Sequence, residues 1–326
     1  MRLRAPLHFR PVYQTLVWGG QRLRPWRSDL PGGPIGESWD LADHGRGMSV
    51  VSQGPFAGRT LHQLVEQSGA DLVGAQFRGD TFPLMIKLID AAERLSVQVH
   101  PDTATSIKLG AGVNGKTECW VILADGGELF QGARPGTTRQ DFERAIESHN
   151  IEPALNRFDA HDRDVFYIEA RTVHALGGGC LLYELQQTCD ITYRVYDWDR
   201  MGLDGRPRPL HLAESLATID FARTGFGPIR PAWLGDETKD GAWRDLVTCS
   251  YFTLGELRLT SGITIRRELG GTCAAVTCID GQGVLSTEGG SLPLAAMQTL
   301  LVPAAAQAWS VRSDSARMDL LVATPV

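Results

Sequence analysis

The chain has 326 residues and no Cys-x-x-Cys pair: Cys119, Cys180, Cys189, Cys249, Cys273 and Cys278 are scattered along it. Cys273 and Cys278 lie five apart with no histidine nearby, so neither a zinc knuckle nor a disulfide framework is expected, and the thiols read as reduced core residues. No run of about 18 apolar residues exists, which excludes a helical membrane span. Positive charge is not in excess either. The 32 Lys and Arg against 38 Asp and Glu give a net charge of −6, which excludes a nucleic-acid binder working through a basic face. No G-x-x-x-x-G-K-[ST] loop is present, so a nucleotide P-loop is excluded. The opening MRLRAPLHFRPVYQT carries arginines but neither an apolar stretch nor a cleavage pattern. No secretory leader is therefore expected, and a cytoplasmic location is. Finally, no histidine follows His211. A histidine-based metal centre must belong to what precedes it.

Short strands broken by Gly and Pro are what the chain has in quantity. Examples are 119-CWVIL-123, 165-VFYI-168, 181-LLYEL-185, 192-TYRVYDW-198, 263-ITIRREL-269 and 299-TLLVP-303. Such spacing predicts a mainly β fold of sandwich or barrel type over a parallel α/β sheet. Helical periodicity is confined to 60–69, 137–148 and 211–219; the second begins with a Thr in N-cap position and carries Phe142 and Ile146 on one side. Gly and Pro cluster near 222–233, which predicts two domains. Residues 1–230 would form the first, with a short helical insertion around 137–158; residues 231–326 would form a β jelly-roll without a metal site.

Within the first domain, 95-LSVQVHP-101 reads as a strand, and period two turns Gln98 and His100 to one face and Val97 and Val99 to the other. Glu118, in 115-GKTECW-120, enters an apolar run, and His174 follows a strand and precedes the glycines 177–179. Two histidines, a glutamate and a glutamine make a ligand set for a borderline divalent metal, zinc above all. Taken singly, each has a plainer reading: a satisfied polar group near a strand end, a core histidine, a strand-edge carboxylate.

These blocks, together with 83-PLMIKLIDA-91, 36-GESW-39 and 183-YELQQTCDITYRVYDWDR-200, resemble the type I mannose-6-phosphate isomerases in their short bacterial form. The match runs in order from about Trp18 to Arg200. The resemblance implies two cupin-like jelly-roll domains and an enzyme that interconverts mannose 6-phosphate and fructose 6-phosphate. It also implies one zinc ion per chain, held by Gln98, His100, Glu118 and His174. Aldose–ketose isomerisation through a cis-enediol needs a base near C1 and C2 and an electrophile at the developing oxyanion. Lys87 is one candidate base, since burial in an apolar strand would lower its pKa. Glu184 is the other, with Arg194 as the expected partner of its buried carboxylate. Lys116 would shuttle protons or bind substrate oxygens. Arg194 and Arg200, six apart and on one face if that stretch stays extended, suit a phosphate, and Ser96 could add a hydroxyl. Glu37, Trp39 and Trp18 are family positions near the substrate pocket, with structural packing as their plainer role.

One departure from the family pattern is visible. Glu169 and Arg171 stand where a Pro-x-Gly turn usually precedes the metal histidine, and an arginine in the glycine's place requires a negative φ. The expected partner is a small sugar phosphate, with no nucleic acid and no membrane, and the chain is expected to be a monomer or weak homo-oligomer. Two other functions compete: an isomerase of another sugar or sugar phosphate, and a metal-binding, sugar-sensing cupin without turnover. Lys87, Lys116, Glu184 and Arg194, beyond the four ligands, speak against the second of these.

Overall fold

The computed structural model describes residues 3–112, 114–236, 238, 239 and 241–326. It is mainly β, with a few short helices. Two compact units make up the chain, and neither is one continuous segment. The first comprises Met1–Val12, Trp39–Ile86 and Arg230–Val326; the second comprises Tyr13–Ser38 and Lys87–Ile229. One boundary thus falls next to residue 230, but two N-terminal segments join the C-terminal one. The reason is strand pairing at long range. Leu7 pairs with Leu301 and Phe9 with Val51, adding strands Leu7–Arg10 and Val50–Val51 to the edge of a sheet built from the C-terminal segment. Local patterning carries no information about such pairings.

The first unit stacks an eight-stranded sheet and a four-stranded one, Thr264–Glu268, Ala308–Ser313, Gln282–Thr287 and Gly290–Ala295. Inward-facing residues of both form one core, among them Leu257, Val276, Leu300 and Leu320 from the larger sheet and Ile265, Leu285, Trp309 and Val311 from the smaller. The predicted strands 263–269 and 299–303 appear as Thr264–Glu268 and Gln298–Val302. Helix Leu61–Leu72 is also in this unit, opened by a capping box between Thr60 and Gln63.

The second unit has most of a six-stranded sheet and a five-stranded one. In order, the six-stranded sheet runs Val165–Ile168, Glu118–Ile122, Cys180–Gln187, Leu84–Ala91, Val12–Gly20 and Ile35–Leu41. The other runs Leu155–Asp159, Glu128–Ala133, His174–Leu176, Val97–Val99 and Tyr193–Tyr196. Helix Arg139–Glu147 fulfils the 137–148 expectation: Thr138 and Asp141 form its capping box, and Phe142 and Ile146 are buried. Full burial of the Phe142 side chain contributes about 1.5–3 kcal/mol, so Phe142→Ala would detach this short helix. Residues 103–108 were not anticipated as a helix; Asp102, directly after Pro101, caps Thr103–Lys108 by accepting from the Thr105 N–H at 2.7 Å.

Candidate active site

Sheet register assembles the site. In the five-stranded sheet His174 pairs with Gln98, and Gln98 with Arg194. Directly opposed residues in antiparallel strands share a face, so the three side chains form a row across three strands. His100 lies just past strand Val97–Val99, before Pro101 breaks the pattern. Glu118 comes from the other sheet, where it opens strand Glu118–Ile122. Trp120 shares its face, two residues on.

His100, Glu118 and His174 are all buried, and one ligand atom from each lies within 4.8 Å of the others. Glu118 Oε1 is 3.3 Å from His174 Nε2, and Oε2 is 3.5 Å from His100 Nε2. Four ligands bound at about 2.0–2.1 Å around a tetrahedral ion stand about 3.3 Å apart, so these spacings fit such an ion. The outer shell fits as well. His100 Nδ1 is 2.9 Å from the Ile191 carbonyl and His174 Nδ1 is 2.8 Å from that of Thr172. An N–H at each Nδ1 leaves the lone pair at each Nε2, facing the carboxylate. Burial carries His174 down to about 4 and His100 well below the usual histidine range; both rings are neutral near pH 7. Lys116 Nζ pairs with Glu118 Oε2 at 2.8 Å and lies 3.1 Å from His100 Nε2, while Glu118 Oε1 has no hydrogen bond. A buried carboxylate with one oxygen unbonded, opposite two neutral imidazoles, is a donor set suited to positive charge, of which Lys116 supplies one. Gln98 Nε2 lies 3.2 Å from His174 Nε2; a half-turn of the terminal amide presents its oxygen as a fourth ligand.

Beside this cluster lies a buried ion pair. Lys87 Nζ is 3.1 Å from Glu184 Oε1 and 3.5 Å from Glu37 Oε2. The Trp120 indole N–H donates to Glu184 Oε2 at 2.9 Å, while its ring meets His174 edge-on at 5.4 Å. Trp120 therefore joins the metal-facing histidine to the acid. The i, i+2 spacing from Glu118 was the signal for it in the sequence. Two expectations fail here. Burial alone would lower the Lys87 pKa, but Glu184 and Glu37 outweigh it and raise it, so Lys87 is a fixed cation. Likewise burial would raise Glu184, but Lys87 and then Lys116 hold it at about 2. Its partners are Lys87 and Trp120, not Arg194.

The arginines are arranged differently from an extended stretch. Strand Tyr193–Tyr196 stops because Trp198 and Asp199 adopt φ of 59° and 53°. Arg200 turns back to Asp197 Oδ1 at 2.7 Å and to the Arg94 carbonyl. Arg208, which no sequence signal singled out, also pairs with Asp197, at 2.7 Å through Nε. Arg194 donates through Nη1 to the Pro209 carbonyl at 2.8 Å, and its Nε is buried without a hydrogen bond. Asp197 is thus shared by Arg200 and Arg208, while Arg194 stands in the ligand row. Ser96 is buried one residue before strand Val97–Val99. Trp18 is buried in the core with Trp120, Phe166 and Leu182 and packs over Gly36, where an added Cβ would come within 2.5 Å of its ring. Trp39 belongs to the first unit, in a cluster with Val12, Ala42 and Met85; packing is its role.

The turn before His174 survives its substitutions, though not with the expected backbone. Arg171 has φ of 72°, a left-handed conformation that costs a long side chain on the order of 1–3 kcal/mol. The Thr172 N–H closes the turn on the Glu169 carbonyl at 3.1 Å.

Comparison with known proteins agrees with this geometry. Residues 7–119 match the family described as phosphomannose isomerase type I, catalytic domain. Over 280 residues the chain is 35% identical to the mannose-6-phosphate isomerase ManA of Bacillus subtilis, covering 85% of this chain and 86% of that one. Against the mannose-6-phosphate isomerase of Streptococcus mutans it is 30% identical over 312 residues, 95% of this chain and 96% of that one. The crystal structure of the Bacillus subtilis mannose 6-phosphate isomerase superposes with a TM-score of 0.89 at 29% identity, over 98% of this chain and 99% of the other. The apo form of the Salmonella typhimurium enzyme shares the fold, with a TM-score of 0.76 at 16% identity over 99% and 100% of the two chains.

Proposed function

Because the chain belongs to the type I mannose-6-phosphate isomerases, a family of aldose–ketose isomerases, we propose that it interconverts mannose 6-phosphate and fructose 6-phosphate with one zinc ion held by Gln98, His100, Glu118 and His174. The observation that carries this reading is the buried His100–Glu118–His174 set with the Lys87–Glu184 pair joined to it through Trp120. When bound, zinc supplies Lewis acidity toward the substrate's carbonyl and hydroxyl oxygens. Gln98 would offer a neutral ligand, so that with two neutral imidazoles and one carboxylate the site would keep one net positive charge toward the substrate.

The chain's own residues account for the proton transfers. Glu184 is the base: it is ionised, buried and aimed by Trp120. At about 2 it is a weak base at rest, but what holds it there is chiefly Lys87. As the Lys87 ammonium turns to a substrate oxygen, Glu184 loses that partner and gains proton affinity, and it takes a proton at one carbon and returns it at the other through the cis-enediol. Lys87, a fixed cation, stabilises the oxyanion that develops. Lys116 stands against His100 and Glu118, placed to exchange a proton with the sugar oxygens. Arg194, in line with Gln98, binds and orients the phosphorylated substrate, with Arg200 and Ser96 behind it and Glu37 and Trp18 shaping the pocket.

The test is a coupled assay of purified protein with mannose 6-phosphate and a small panel of other aldose phosphates. Turnover of mannose 6-phosphate well above the panel supports the assignment. Selective turnover of a different sugar phosphate would reassign the substrate, and no turnover with any of them would reject the enzyme.

A further inference from the structure

Resting on the metal reading above, we propose that Arg171 and Arg223 are positioning residues that clamp the turn 169–172 and, through it, set both metal-facing histidines. Both side chains reach the turn and its surroundings; the turn is what they share. It has two outputs. The Arg171 N–H donates to the His100 carbonyl at 2.7 Å, and the Thr172 carbonyl lies 2.8 Å from His174 Nδ1. One turn therefore fixes the backbone of one ligand and the ring of the other, although 74 residues separate them in sequence (174 − 100).

The inputs come chiefly from the end of helix Leu212–Thr218 and the segment after it, with one from Asp102. Arg171 Nε donates to the Thr218 carbonyl at 3.1 Å, and the Asp220 N–H donates back to the Arg171 carbonyl at 3.0 Å. Arg171 Nη1 is 3.9 Å from Asp102 Oδ2, on the residue that caps the helix after His100. Arg223 Nη1 donates to the Ala170 carbonyl at 2.8 Å and to Thr172 Oγ1 at 2.9 Å, and lies 3.3 Å from Glu169 Oε2. A left-handed arginine persists only where its surroundings over-determine it, and these contacts do so. They also explain why a glycine, with an easier backbone here, is not an equivalent residue: it has no side chain to reach Thr218 or Asp102. Outer-shell partners of metal-binding histidines typically govern metal affinity by tenfold to a hundredfold, and the clamp is one step further out, acting through the carbonyls.

The test uses cobalt(II), whose visible absorption reports ligand geometry, loaded into chelator-treated full-length protein and titrated against a competing metal indicator. Arg171→Gly suits the backbone and so is expected to keep or raise Tm. It is nonetheless expected to weaken cobalt binding about tenfold or more and to shift the visible bands. Arg223→Met is expected to do the same with a normal backbone. His100→Ala serves as the control without a site. If both clamp variants bind cobalt within twofold of wild type with unchanged bands, the clamp is wrong while the metal reading stands. If wild type binds no more cobalt than His100→Ala, the metal reading fails and takes the clamp with it.

Discussion

Both units are built of β-sheets around apolar cores and both bury charge, yet they satisfy it to different degrees. In the first unit Glu256 is fully buried and receives Arg244 Nε at 2.8 Å. Asp319, equally buried, receives Arg258 at 2.8 Å and Arg317 at 2.9 Å on its two oxygens, and Thr277 and Thr299 bond each other at 2.9 Å. In the second unit Glu118 is as deeply buried and pairs with Lys116, but its Oε1 has no hydrogen bond; Gln186 Oε1, Arg194 Nε and Arg200 Nε are buried without one too. Leaving buried polar atoms unsatisfied is costly, and two of these residues, Glu118 and Arg194, belong to the ligand cluster and its row. Among the described residues, no carboxylate oxygen of the first unit is buried without a hydrogen bond. The second keeps an unbonded carboxylate oxygen beside two neutral histidines, the arrangement on which the metal reading rests.

That contrast can be broken by mutation. The largest effect is expected for His100→Ala, which removes a ligand: bound metal is lost and isomerase activity falls by about 10²–10³-fold or more, measured by elemental analysis and the coupled assay. Arg194→Ala is expected to keep its metal and lose about 10²-fold in kcat/KM; wild-type activity in this variant would remove Arg194 from the site. Lys87→Met strands Glu184 in the interior, and Arg244→Met strands Glu256. Each is expected to cost about 3–5 kcal/mol in urea unfolding. Only Lys87→Met is expected to abolish turnover beyond what its loss of stability explains, and only Arg244→Met to leave kcat and metal affinity unchanged.

The smallest effect is on pH. Glu184 sits at about 2 in the fold against an ordinary 4.5. Between those values the unfolded chain binds more protons, so this carboxylate's contribution is present in full above about 4.5 and is lost as the pH falls toward 2. Unfolding midpoints at pH 6 and pH 3.5 are expected to differ less in Glu184→Gln than in wild type; equal slopes would detach Glu184 from the pair.

Much of this was legible in the sequence, for definite reasons. The alternation at Gln98 and His100, the mainly β class, and the helix around Phe142 and Ile146 all follow from local periodicity, which side-chain geometry enforces directly. The convergence of Glu118 and His174 on the same point followed from resemblance, since no local rule brings separate strands together. Charge partners were the least legible. Glu184 was given Arg194 and found Lys87, because the neighbouring strand is Leu84–Ala91, and strand order is a long-range property. The Lys87 pKa was misjudged for the same reason: burial was visible, but the two carboxylates facing it were not. Arg171 was expected at negative φ because the cost of the left-handed region is local, while the contacts that offset it come from Thr218, Asp220 and Asp102.

In the reading proposed above, Gln98, His100, Glu118 and His174 hold an ion that the reaction requires. The most direct test of that reading is to strip the purified protein with a chelator, verify metal content by elemental analysis, assay mannose 6-phosphate isomerisation, and then restore zinc. Loss of activity on stripping and recovery at one zinc per chain is the expected result. Full activity in protein shown to be free of metal would contradict it.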